Sequence, residues 1–154
     1  MTINLHGVRL SRAGHPVLED MSLSISAGEV VGILGENGAG KSTLIDAIAG
    51  EIHLDGGQVT ISGQALAGLS VSQQSRLRAV LPQKPSLSFD MTVAEVVRMG
   101  AYPFTEVSPD AVDAWTAQSL SWTDLKNFES RRYLELSGGE QQRVQLARVL
   151  VQGL

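Results

Sequence analysis

Cysteine is absent from the 154 residues, which excludes disulfides, cysteine–zinc sites and thiol nucleophiles. The absence suits a reducing compartment. No stretch approaches the roughly 18 consecutive apolar residues that span a bilayer. The start, Met1-Thr2-Ile3-Asn4-Leu5-His6, lacks the basic segment and apolar run of a secretory signal. The chain therefore reads as soluble, with any membrane association made through a partner. Basic charge is scarce as well. Twelve Lys and Arg against 16 Asp and Glu leave a formal net charge of −4, which gives no footing for sequence-independent nucleic-acid binding. The histidines His6, His15 and His53 do not stand at metal-ligand spacings and read as surface or turn residues. Internal repeats, low-complexity tracts and linkers are missing too.

What is present is enough for a folded domain. Apolar residues make up 43% and charged residues 18%, a balance that argues against disorder. A chain of this length suits one compact domain. Val8-Arg9-Leu10 and Met21-Ser22-Leu23-Ser24-Ile25 alternate as half-buried strands do, and Ala27-Gly28 breaks the second. Val30-Val31-Gly32-Ile33-Leu34 is almost unbroken in its apolarity, the pattern of a strand covered on both faces in a parallel sheet. A helix is expected over residues 42–49, closed by Gly50. Gly56-Gly57 reads as a turn, Gln58-Val59-Thr60-Ile61 as a strand, and Arg78-Ala79-Val80-Leu81 as another short strand stopped by Pro82.

Beyond Gln83 the character becomes helical. Thr92-Val93-Ala94-Glu95 is a capping box, with Val93, Val96 and Val97 on one helical face closed by Gly100. Ser108-Pro109 opens another helix, on which Val112 and Trp115 share a side. Ser137-Gly138-Gly139-Glu140 is a second capping box. It opens a helix with Val144, Ala147, Leu150 and Val151 near one side.

The strongest chemical signal is Gly35-Glu36-Asn37-Gly38-Ala39-Gly40-Lys41-Ser42, a full match to G-x-x-x-x-G-K-[ST], the P-loop. Its glycines let backbone amides turn inward to cradle phosphate oxygens. The following helix, entered through Ser42 and Thr43, adds its positive end. Lys41 supplies a point charge for the β- and γ-phosphates, and Ser42 a hydroxyl for Mg²⁺. A strand before and a helix after are the flanks this motif needs. The competing reading is a glycine-rich strand-to-helix turn with no ligand.

The second signal is Leu136-Ser137-Gly138-Gly139-Glu140, followed by Gln141-Gln142-Arg143-Val144-Gln145-Leu146-Ala147-Arg148. Alone it is a capping box. Downstream of a P-loop it resembles the signature motif and helix of the ABC ATPases. Gly28-Glu29, Leu44 and Leu81-Pro82-Gln83 stand where that family has them, so the resemblance runs along nearly the whole chain. It implies an α/β fold of the P-loop NTPase type, with an antiparallel β subdomain and a helical subdomain. The β subdomain and P-loop core would span residues 1–83, and the helical subdomain and signature residues 84–147.

The resemblance also implies roles. ATP and Mg²⁺ are the ligands. Gln83 corresponds to the glutamine that completes the Mg²⁺ shell and senses the γ-phosphate, alongside Lys41. Two subunits, a homodimer or a pair of related chains, would face head to tail. Ser137, Gly138, Gly139 and Glu140 of one would then close on the nucleotide held by residues 35–43 of the other. Transmembrane permease subunits are the further partners. They place the chain peripherally at the cytoplasmic face of the inner (plasma) membrane, and nucleic acid is not a partner. In the family the segment following Gln83, residues 84–99, forms the groove for the permease, with Phe89, Met91 and Met99 as apolar candidates. Packing inside the helical subdomain is the other reading of those three.

Two departures stand out. The family's aromatic residue on the adenine face falls, by alignment, at Arg12, whose guanidinium can also stack on a base or stay a solvated loop residue. The family also continues past the signature helix with an apolar strand ending in Asp-Glu and then a switch histidine, and the 154 residues contain no counterpart. The expectation is that these residues alone bind Mg-ATP without turning it over, and that without that strand they are poorly stable and aggregate.

Residues 78–83, 86–97 and 140–150 look most like the haem-importer branch, near the importers of iron siderophores and vitamin B12. The leading expectation is an ATPase that powers such uptake. A nucleotide-binding module without turnover is the alternative. A non-transport ABC protein of translation or DNA repair is disfavoured, because the helical insert is short and carries no heptad run.

Overall fold

Alternating apolar residues near the amino terminus build a long twisted hairpin. In the computed structural model, which describes residues 1–83 and 87–153, β1 (Ile3–Arg12) and β2 (His15–Ile25) pair antiparallel, with Leu5 opposite Leu23, Leu10 opposite Leu18 and Arg12 opposite His15. The connection is the two-residue turn Ala13-Gly14, with φ of 51° and 78°. That left-handed geometry matches the twist of a tight hairpin. Register shifts between Leu5 and Ser11 bend the strands.

On the other side of β1 lies β3 (Gly56–Ile61), followed by the short β4 (Gln64–Ala65), giving the order β2-β1-β3-β4, antiparallel throughout. Gly56 and Gly57, expected as a turn, instead open β3. Gly57 sits so close to Gly7 that a Cβ there would collide with the Gly7 backbone. The inward faces of these strands pack on α1 (Lys41–Ala49), with Leu5, Val8, Leu18, Val59, Ile61, Leu44 and Ala47 buried together. Each of the leucine, valine and isoleucine side chains contributes about 1.5–3 kcal/mol when fully buried. Gly50, φ 69°, ends α1 as expected, its N–H donating to Ala47 O. After a single 3₁₀ turn, α2 (Val71–Leu77) completes this first unit, Met1–Leu77.

Two expected strands are not formed. Residues 30–34 carry no ladder, and Val30 and Leu34 are 96% and 94% exposed. Residues 78–81 are likewise irregular. A buried parallel strand takes its hydrogen bonds from neighbours. Among the described residues the sheet ends at β2 and β4, and neither pairs with these runs.

The second unit, Arg78–Leu154, is helical. Its elements are α3 (Val93–Arg98) with the 3₁₀ turn Met99–Ala101, α4 (Pro109–Trp122), a 3₁₀ turn at Tyr133–Glu135, and α5 (Gly138–Gly153). Its core is Val93, Val96, Val97, Leu120, Leu125, Tyr133, Val144, Ala147 and Val151, with Val112 and Trp115 packed against it. Leu150, expected on this face, is only half-buried. Gly100 lets the chain approach α5, since a Cβ there would collide with Arg148 O. An ion pair between Arg98 and Asp113 ties α3 to α4.

Candidate nucleotide site

Among the described residues, four of the five α-helices begin on a hydroxyl. Ser70 exchanges bonds with Gln73 ahead of α2. Thr92 caps α3, Ser108 caps α4, and Ser137 caps α5. Each satisfies amides that a helix start would otherwise leave without acceptors. α1 is built differently. Its N-cap is Gly40, φ 81°, with no side-chain cap and no acidic residue in the first turn. No side chain of the first turn therefore accepts from the amides at the start of α1, where the positive end of the helix dipole favours negative charge.

The loop before α1 is folded around Lys41. The ammonium donates to Gly35 O at 2.8 Å and to Glu36 O at 2.6 Å, closing residues 35–41 into a ring. Ala39 N–H donates to Glu36 O at 3.3 Å, and Leu44 N–H to Gly40 O at 2.8 Å. Gly38, φ 87°, takes a conformation that costs a residue with a Cβ. Gly40 lies against β2, where a Cβ would meet Val17 O at 3.1 Å. Glu36, Asn37, Ala39 and Ser42 are exposed, whereas Thr43 is buried in the packing of α1. Thr43 thus offers an external ligand its backbone rather than its hydroxyl.

Arg12 stands at the end of β1, exposed, with its guanidinium 3.6 Å from the Asp46 carboxylate. Asp46 is four residues beyond Ser42, on the same helical face. Sequence reasoning missed this pair, and a cation aligned with a base-facing position plus an acid one turn past the P-loop was the available signal. Residues 35–43 and Arg12 are therefore brought to one region of the first unit.

Gln83 belongs to the second unit and is exposed. Of the three groove candidates there, Phe89 is 72% exposed, while Met91 packs on the helical core and Met99 is half-buried. The first residues of the segment expected to form that groove, Lys84, Pro85 and Ser86, lie outside the described residues.

The second capping box is formed as expected. Ser137 N–H and Oγ donate to Glu140 Oε2 at 2.8 and 2.6 Å, and Glu140 N–H returns to Ser137 Oγ at 3.4 Å. These bonds, the hydroxyl's first, hold the Glu140 carboxyl below the usual carboxylate range, with Arg131 and Arg143 adding to the effect. Ser137, Gly138 and Gly139 are exposed, and nothing lies within 4 Å of a Cβ added at either glycine. That helix start is an open surface. Also missed by sequence reasoning was what holds it from behind. Gln141 Nε2 donates to Tyr133 O and Leu136 O, each at 3.3 Å, and Gln145 Nε2 to Tyr133 Oη at 3.0 Å. The signal was two glutamines four apart on a face otherwise apolar.

A glycine loop closed by its own lysine ahead of a helix with no side-chain cap is the arrangement of the P-loop class of proteins. The ABC transporter family profile matches residues 18–153, and the chain belongs to that family. It is 53% identical over 152 residues to the hemin import ATP-binding protein HmuV of Bordetella pertussis, covering 99% of this chain and 58% of that protein. The protein of the same name from Rhizobium leguminosarum is 45% identical, with 97% and 56% covered. The chain thus spans somewhat over half the length of these relatives. A solved ATP-binding subunit of an ABC transporter superposes with a TM-score of 0.87 at 27% identity, covering 98% of this chain and 62% of that one. Among the described residues no helix is long and apolar enough to cross a membrane.

Proposed function

We propose that this chain is the nucleotide-binding part of an ABC importer ATPase that energises uptake of haem or a related iron compound. The observation that carries the proposal is the uncapped start of α1 with Lys41 folded into the loop ahead of it. The 53% identity to a hemin import ATP-binding protein supports the cargo class.

In this reading ATP lays its phosphates along the amides of residues 35–43. Lys41 exchanges the carbonyls of Gly35 and Glu36 for phosphate oxygens, and Arg12 faces the base. Mg²⁺ fits the donor set here, because it keeps most of its waters and takes few protein oxygens. The exposed Ser42 hydroxyl is one such donor, and Gln83 is the second residue assigned to the ion. When bound, the ion neutralises charge on the phosphates. Residues 1–83 hold the nucleotide, and residues 84–147 carry the surface that meets it from another subunit. There Ser137, Gly138, Gly139 and Glu140 present a helix start to the γ-phosphate. Hydrolysis then depends on pairing, as a homodimer or with a related subunit. The permease anchors the pair at the cytoplasmic face of the membrane.

The test is equilibrium binding of a fluorescent ATP analogue, with phosphate release measured in parallel, for the parent and for Lys41→Ala. Losing the charge is expected to weaken binding by about tenfold or more. Unchanged binding in a folded Lys41→Ala variant would overturn the proposal.

A further inference from the structure

Gln145 is a costly residue where it stands. It is 1% exposed inside a core of valines, leucines and alanines, and its Oε1 has no hydrogen-bond partner. An aliphatic side chain of similar volume would remove that unsatisfied oxygen. What Gln145 does is donate to the hydroxyl of Tyr133, itself 1% exposed.

Tyr133 is held at three points. Its N–H donates to Met91 O at 2.9 Å, its carbonyl accepts from Gln141 Nε2, and its hydroxyl accepts from Gln145 Nε2. It begins the 3₁₀ turn that delivers the chain to Leu136 and Ser137, and Gln141 also grips Leu136 O. Two glutamines one turn apart on α5 thus clamp the entry to α5 itself. The direction in which Ser137, Gly138 and Gly139 present their amides follows from that clamp. The Ser137–Glu140 capping box ties the first turn to itself, while nothing lies within 4 Å of a Cβ added at Gly138 or Gly139.

We propose that Tyr133 and Gln145, assisted by Gln141, are positioning residues. They set the angle of the Ser137–Gly139 helix start toward a nucleotide held by a second subunit, at some cost in stability to the helical unit. The inference rests on the reading that this helix start meets the γ-phosphate in trans.

The experiment uses the natural gene product that carries these residues, and compares Tyr133→Phe, Gln145→Met and the double variant with the parent. Removing both partners of the bond leaves no orphaned hydroxyl, so the double variant is expected to melt at or above the parent temperature. Binding of a fluorescent ATP analogue to its own P-loop is expected to stay unchanged. Turnover is expected to fall about tenfold, the scale of one hydrogen bond that matters in the transition state, and by no more in the double variant than in either single one. A stability gain joined to a turnover loss is a result that a packing role cannot produce. Double-variant turnover within about twofold of the parent overturns the proposal. If the double variant fails to fold, Gln141→Ala, on the half-buried edge of the clamp, is expected to show the same loss, and parental turnover in that variant overturns the proposal equally. Ser137→Ala separates the two levels. If Ser137→Ala lowers turnover and the clamp variants do not, only this inference falls. If Ser137→Ala is also without effect, the underlying reading of the helix start falls with it.

Discussion

The Arg12 guanidinium lies 3.6 Å from the Asp46 carboxylate, joining the tip of the β1–β2 hairpin to the helix that follows the P-loop. Arg12 is more than half exposed, and an exposed pair of this kind contributes little, about 0–1 kcal/mol. In the proposed reading the pair matters for where it holds a flat cation rather than for what it adds to stability.

Removing that cation should therefore touch binding more than folding. Arg12→Ala is expected to leave the melting temperature almost unmoved and to weaken binding of an ATP analogue by about two- to fivefold, the range of an exposed cation–π contact. Asp46→Asn should show a smaller loss in the same direction, because the guanidinium is no longer steered. Titrating both variants with adenine and non-aromatic triphosphate analogues checks it. A loss equal for both ligand types would assign Arg12 to phosphate attraction instead.

The capping boxes make the fold sensitive to acid. The Glu95 carboxyl is held below its ordinary range chiefly by the Thr92 N–H, then by the Thr92 hydroxyl, with Arg132 and Arg98 adding to it. Glu140 is held down by Ser137 in the same way. In each case the unfolded chain binds a proton more readily than the folded one. The stabilisation is therefore present above the unfolded carboxylate range and is lost as pH falls through the folded-state values. Thermal melts from neutral to acid pH are expected to show this loss in the parent. The slope should be reduced in Thr92→Ala and Ser137→Ala, which lose the hydroxyl donors while retaining the backbone ones.

Those boxes were legible because a cap is a local device. Four residues contain both partners, so Thr92 with Glu95 and Ser137 with Glu140 could be read without knowing what surrounds them. The αL residue Gly50 and the Ser108-Pro109 start are local in the same sense, and so is the Lys41 loop. Residues 30–34 and 78–81 were read as strands on apolarity alone. Apolarity describes a residue's preference, while a strand needs a partner's backbone, and none stands beside them among the described residues. The clamp of Gln141 and Gln145 on Tyr133 escaped the sequence for a related reason. Which of two polar residues on a helix turns inward is decided by the turn that packs against it.

The unpaired run carries its own consequence. Val30 and Leu34 are almost fully exposed and Val31 partly so, a concentration of apolar surface beside unpaired backbone that favours self-association. The 154-residue polypeptide made by itself is expected to elute as multimers, in a manner that grows with concentration. Val30→Lys combined with Leu34→Lys should shift it toward monomer. Light scattering coupled to gel filtration measures this, and a sharp monomer peak from the parent would contradict it.

Glycines at two places in the helical unit should behave oppositely. A Cβ at Gly100 collides with Arg148 O and crowds Val151, so Gly100→Ala must push the 3₁₀ turn off α5. It is expected to cost about 1–3 kcal/mol, as overpacking does. Gly138 and Gly139 open α5 with free space around the positions a Cβ would take. Alanine there improves the local helix preference by up to about 1 kcal/mol, so Gly139→Ala should raise the melting temperature slightly. If the helix start works against a second subunit's nucleotide, the added methyl intrudes where amides must approach phosphate. Turnover should then collapse although stability rises. Chemical denaturation and phosphate release on the two variants separate the cases. Gly139→Ala with parental turnover would mean that no phosphate comes close to this surface.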